Sequence, residues 1–244
     1  MNLKAVFTPR RLLVYIIGLA LYAYGACLMA QANIGISPIT SVPYLFTILT
    51  PGTLGLTQLI WTLILIFAQV VWLRRDFEKF QYFQIAVSVI FSVFLDLLMP
   101  LAKIFASDIL ILRILLCTAS LIVMGIGLGT AVIADLVLIP GDGMAKTIAH
   151  KTGWVFGKAK VLMDVSCVTI TIILSAILLR RPFAVVQMGT VVSMLFLGNI
   201  VRIYSSFTSK ALLRFMRMEG AEPAALGNPQ KTESAQIEEA DIEK

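Results

Sequence analysis

The chain has 244 residues, of which 59% are hydrophobic and only 14% charged, with a mean hydropathy of +0.90 and a net charge of +6. These values lie far outside the range of water-soluble globular domains. They exclude such a domain and point to a lipid bilayer as the main partner, with no expectation of nucleic acid.

Apolar runs near 12–32, 54–73, 82–101, 112–135, 159–179 and 185–204 each approach the ~20 residues a helix needs to cross a ~30 Å hydrocarbon core. Six transmembrane helices are predicted. The ~10-residue alternation of a membrane barrel is missing, so the fold class is all-α. The first run follows Lys4, Arg10 and Arg11 and ends in "AQA" at Ala30–Ala32, a mimic of a signal-peptide cleavage site. From Leu12 to Met29 it exceeds the ~7–15 residues of a signal-peptide core, and it is expected to remain as the first span.

The next stretch, "NIGISPITSVPYLFTILTPG" at 33–52, is apolar but broken by three prolines and two glycines. Its partner is found by sliding the sequence against itself by 102 residues. Gly25 then falls on Gly127, Asn33 on Asp135, Pro38 on Pro140, Thr40 on Asp142 and Gly55 on Gly157. After four extra residues in the second copy, "WLRRDF" at 72–77 falls on "LLRRPF" at 178–183. The chain is read as a duplication: a first membrane repeat over 1–106, a second over 107–218, and an acidic tail over 219–244. The tail's seven acidic residues and few large apolar groups cannot bury enough surface to fold. Three spans per repeat is an odd number, so the second copy is expected to enter the membrane from the opposite side.

Lysine and arginine placement sets the expected orientation. With the N-terminus inside, fourteen fall on cytoplasmic segments: Lys4, Arg10, Arg11, Arg74, Arg75, Lys79, Lys146, Lys151, Lys158, Lys160, Arg202, Lys210, Arg214 and Arg217. Four fall outside: Lys103, Arg113, Arg180 and Arg181. The discordant Arg180–Arg181 pair is the inverted copy of Arg74–Arg75.

The second broken stretch is "DLVLIPGDGMAKTIAHKTG" at 135–153. Interrupted apolar segments at matching places in inverted halves are the sequence pointer to a transporter's binding site. Freed backbone groups at membrane depth are tolerated only where protein or a water-filled cavity satisfies them. Each stretch is expected to be a re-entrant or half helix with its N-terminal dipole toward the midplane. The alternative is an ordinary loop packed at the membrane surface.

"GLALYAYGACLMAQANIGISP" at 18–38, "GLGTAVIADLVLIPGDGM" at 127–144 and "GKAKVLMDVS" at 157–166 resemble the YitT/YczE group of bacterial integral membrane proteins. The resemblance covers nearly all of the chain apart from its tail. It implies a polytopic protein of the bacterial inner membrane. In such relatives G-x-[GS]-P-x-D is expected in the first copy; here Thr40 stands at the acid position, while Asp142 keeps it in the second.

Charges inside spans cost ~2.5–3.5 kcal/mol at a helix centre, so they normally face a bundle interior. Asp96, Asp135, Asp142 and Asp164 are the acids concerned. Asp142 and Lys146 are spaced four apart, as are Lys160 and Asp164, and both spacings permit pairing on one helix face. Asp142 also sits where an N-cap would. Asp164 is expected to pair with Lys160 or Lys146, as a structural ion pair or as a relay for a proton or cation. The first-copy equivalents are neutral: Asn33, Thr40, Gln58 and Thr62. Glycines at 18, 25, 125, 127 and 129 are expected to bring helices one and four together, and Tyr15, Tyr22 and Trp61 are cavity or core candidates.

Cys27, Cys117 and Cys167 lie in predicted spans with no CxxC pattern, and His150 has no second ligand nearby. Neither a metal, a cofactor nor an enzymatic nucleophile is expected. The reading is a transporter, or channel-like carrier, of a small molecule or ion. Its site residues are Asn33, Ser37, Pro38, Thr40, Asp135, Gly141, Asp142, Gly143, Lys146, Lys160 and Asp164. The alternative is a non-transporting scaffold or accessory subunit, and a homodimer is compatible with either.

Overall fold

Apolar side chains on every face of a helix are stable only in protein or lipid, and six helices here have that character. The computed structural model describes residues 8–74, 77 and 79–216, with only the backbone of Lys79. Lys4, Arg75, Arg217 and the tail lie outside the described residues. The spans are α1 (Pro9–Ala32), α3 (Leu54–Leu73), α4 (Phe83–Lys103), α5 (Leu110–Ala134), α7 (Phe156–Leu178) and α8 (Met188–Met216). Between them lie two short helices, α2 (Pro38–Leu49) and α6 (Pro140–Thr152), and the described residues form no strand. This is an all-α, multi-pass membrane protein.

Each short helix begins on its proline, whose missing N–H costs nothing at the first helical position. Their 12 and 13 residues reach only ~18–20 Å, too short to cross. They are half helices, not surface loops. The backbone repeats its own irregularities: α1 and α5 end on left-handed residues, Asn33 at φ 52° and Asp135 at φ 45°. Arg74 at φ 49° is matched by Arg180 at φ 54°, the same pair that the sequence alignment superposes across four extra residues.

The centre of the fold is the contact between α1 and α5, which are equivalent helices. Gly18 meets Ala131 and Gly127, Gly127 meets Tyr22, and Gly25 meets Met124 and Ser120. Residue numbers rise on one helix as they fall on the other, so the helices are antiparallel and the repeats are inverted. Any Cβ at Gly18 would lie 2.6 Å from the Ala131 backbone nitrogen, which explains why small residues line this seam. Gly125 and Gly129 do not serve it; they face Ile200 and Tyr204 of α8. Along α5, one face is used for α1 and another for α8.

Each half helix packs on a span of each repeat: α2 on α7 as well as on α3, and α6 on α3 as well as on α7. Thus Ser41 Oγ lies 2.7 Å from Thr171 Oγ1, while at the equivalent places Gly143 is pressed by Gln69. The repeats then diverge. In the first, α3 packs on α4, and Asp96 accepts from Thr53 Oγ1 and the Gly55 N–H, both at 2.8 Å. Asp96 is therefore a clasp for the start of α3. In the second, Gly157 has nothing within 4 Å of its would-be Cβ, and α7 and α8 make no extensive contact among the described residues.

Gly127→Val should destabilise the purified protein by about 1–3 kcal/mol, the usual range for overpacking, lowering its melting temperature in detergent. Gly157→Val, in open space, should leave the melting temperature unchanged.

Candidate functional site

The first turns of α2 and α6 meet at the middle of the molecule, where Ile39 packs directly against Gly141. Around this junction lies a cavity of about 10 Å³, walled by Tyr22 of α1, Thr40, Gln58 and Thr62, Ser88 and Phe91 of α4, and Pro140 and Gly141. That volume admits about one water molecule. Gln58 is only 2% exposed, and its Oε1 has no hydrogen-bond partner among the described residues. A buried amide oxygen left unpaired is costly, and a single water in this cavity would satisfy it. Tyr22 and Phe91 stack with ring centroids 5.3 Å apart and give the same wall an aromatic face.

Beside the cavity is an ionic triad. Lys160 Nζ lies 3.1 Å from Asp142 Oδ1 and 3.2 Å from Asp164 Oδ1, with the three side chains partly buried and Lys160 the most exposed at 31%. Tyr22 is within electrostatic reach of all three. The i,i+4 spacing of Lys160 and Asp164 produced the expected pair. Asp142 behaves differently from expectation. It stands two residues inside the α6 start at Pro140, with Ile139 as the N-cap and no side-chain cap bond, so it is not a cap. It pairs with Lys160 of α7 rather than with Lys146, which is exposed on α6. Side chains at i and i+4 share a face, but here that face splits between the interior and the surface.

The first repeat shows a neutral version at the equivalent positions. Thr40, Gln58 and Thr62 correspond to Asp142, Lys160 and Asp164, and all three line the cavity. Ser37 donates to Thr40 Oγ1 at 2.9 Å, and Pro38 heads α2. Pro38, Asp142 and Asp164 do not line the cavity themselves. Gly143 is fixed by an amide pair that charge-based reading passed over: Gln69 and Gln84 bond each other, and Gln69 Nε2 also donates to the Pro140 carbonyl at 3.2 Å. Two glutamines in apolar spans, both at 1% exposure or less, were the available signal.

Asn33 and Asp135 take no part in this centre. They close α1 and α5 at opposite ends of the molecule. Arg11 donates from Nε to Ala134 O at 2.6 Å, from Nη2 to Asp135 O, and stands 3.8 Å from the Asp135 carboxylate. Burial pushes the Asp135 carboxyl above its ordinary range, with Arg11 and Lys146 pulling it down. Tyr15 is core, donating to Val137 O at 2.8 Å, and the three cysteines are buried free thiols.

An inverted-repeat membrane protein with two half helices meeting at a polar centre is the class this geometry defines. Residues 9–206 match the model of the family of unknown function DUF6198. That range takes in every span but the end of α8, and the chain belongs to this family. No curated protein matches the chain, and no solved structure does.

Removing one partner of a buried ion cluster leaves uncompensated charge, at a cost of about 3–5 kcal/mol. Lys160→Met should therefore lower the melting temperature sharply. The triple variant Asp142→Thr, Lys160→Gln, Asp164→Thr, which imports the first repeat's residues, should melt close to the parent. A triple variant as unstable as Lys160→Met would show that the charges themselves hold the fold.

Proposed function

We propose that this chain is a secondary transporter, or channel-like carrier, of a small solute, with its site between the two half helices. The observation that carries this reading is the unpaired Gln58 Oε1 in a small, mostly apolar cavity at the α2–α6 junction, beside the hydroxyls of Thr40, Thr62 and Ser88. Buried polar groups inside a membrane bundle are costly and are retained for substrate or ion pathways. Helix N-termini converging at mid-bundle from inverted repeats are the arrangement used to hold solutes there. The triad supplies the coupling: Asp164, buried against Lys160, is the group that would bind and release a proton or exchange a cation as the centre opens.

The proposed location is the cell membrane of a bacterium, with both termini cytoplasmic. The support is the lysine and arginine bias and the likeness to the YitT/YczE proteins. The non-transporting scaffold reading is favoured by one observation: the cavity holds only about one water in this conformation.

Reporters inserted near Lys151 and after Lys244 should read as cytoplasmic, and one near Phe105 as external; a cytoplasmic signal at Phe105 would refute the orientation. In proteoliposomes, gradient-driven uptake of a panel of small solutes under a pH or sodium gradient is expected for the parent. Asp164→Asn should insert and purify normally while losing at least tenfold in uptake rate. A parent inert to the whole panel under both gradients would favour the scaffold.

A further inference from the structure

We infer that the polar pocket where α1 ends and α5 begins is a binding site for a small carboxylate anion, recognised by Arg113. The argument starts from the repeat. Arg11 and Arg113, Ala32 and Ala134, and Asn33 and Asp135 are all related by the offset of 102. At one end of the molecule Arg11 closes on the end of α5, taking the carbonyls of Ala134 and Asp135 and approaching the Asp135 carboxylate. At the other end the same closure is not made. Arg113 Nε donates to Ser107 O at 2.8 Å, and Nη2 pairs with Asp108 at 3.1 Å. Its counterpart acceptor is Asn33, an amide where the twin has a carboxylate.

Between Arg113 and Asn33 lies a pocket of about 360 Å³, lined also by Gln31, Tyr44, Ser107 and Asp108. That volume suits a small organic ligand. The guanidinium fork matches a carboxylate with two parallel N–H bonds, and the Asn33 amide offers a further donor. The missing side-chain carboxylate is thus supplied by the ligand. Asp108 does not block the site, because its side chain is fully exposed. Exposed pairs of this kind are weak and screened by salt, so a ligand seated in the pocket displaces it.

The site is separate from the central cavity, and its occupancy is read in detergent without any transport. A negative result here therefore leaves the transporter reading standing, and an inert transporter leaves this site standing. The full chain is titrated with acetate and succinate against chloride and phosphate at matched ionic strength, following melting temperature and calorimetric binding. Saturable binding of the carboxylates alone is expected, weakened at least tenfold by Arg113→Gln and unaffected by Asp164→Asn. Asn33→Asp tethers a carboxylate in the pocket. It should raise the melting temperature without ligand and abolish the response to acetate, which keeps the test decisive even if Arg113→Gln fails to fold. An unchanged acetate response in Asn33→Asp overturns the assignment. So does a response confined to phosphate, or to vesicles containing phosphatidylserine, which would give the pocket to a phosphate group or a lipid headgroup.

Discussion

Everything in this fold is hung from the glycine seam between α1 and α5. Because the two helices are equivalent copies lying antiparallel, one contact fixes both the hand of the duplication and the axis about which the remaining helices pair. Backbone approach at Gly18, Gly25 and Gly127 replaces the hydrophobic driving force that a bilayer withholds, since lipid tails are as apolar as leucine. Tight seams also leave no slack. Of the six spans, α1 is the most enclosed.

The packing of α2 onto α7 and α6 onto α3 converts the seam into a closed centre. Each half helix is held by the opposite repeat, through Ser41 on Thr171 in one case and through the Gln69–Gln84 amide pair against Gly143 in the other. Each half helix also packs on the next span of its own repeat, α2 on α3 through Thr47 and Thr57 and α6 on α7 through Asp142 and Lys160. The periphery differs between the repeats. α3 is clasped to α4 by Asp96, whereas α7 and α8 stand apart, and their outward faces are apolar and suited to lipid. Inverted copies that differ in this way are in different local conformations.

Much of this was legible in the sequence because membrane physics writes in long runs. Six spans, their order and the two broken stretches follow from apolar length and from proline and glycine placement. The offset of 102 sets Asn33 on Asp135, and the structure adds that both take the left-handed conformation. What escaped was whatever depends on which face of a helix turns inward. Spacing alone offers Asp142 a capping role or Lys146 as partner, yet α6 presents it to Lys160 of α7. Gly125 and Gly129 belong to α8 for the same reason. Gln69 and Gln84 carry no charge to mark them in the sequence, although a buried amide also demands partners.

The two versions of the centre bear on why the charges are there at all. Thr40, Gln58 and Thr62 occupy the places of Asp142, Lys160 and Asp164 in the same molecule, against the same kinds of helices, and that half folds without an ion. The neutral half shows that the first repeat's copy of these positions is filled without charge. Nor is a buried ion cluster a route to stability, since its desolvation commonly offsets the attraction between its members, and neutral replacements are often no worse. A single acid at this depth would be expensive, so the triad holds only as a set of two carboxylates around one lysine. The two carboxylates and the lysine therefore stand or fall together, and the first repeat shows which neutral side chains fit the same positions.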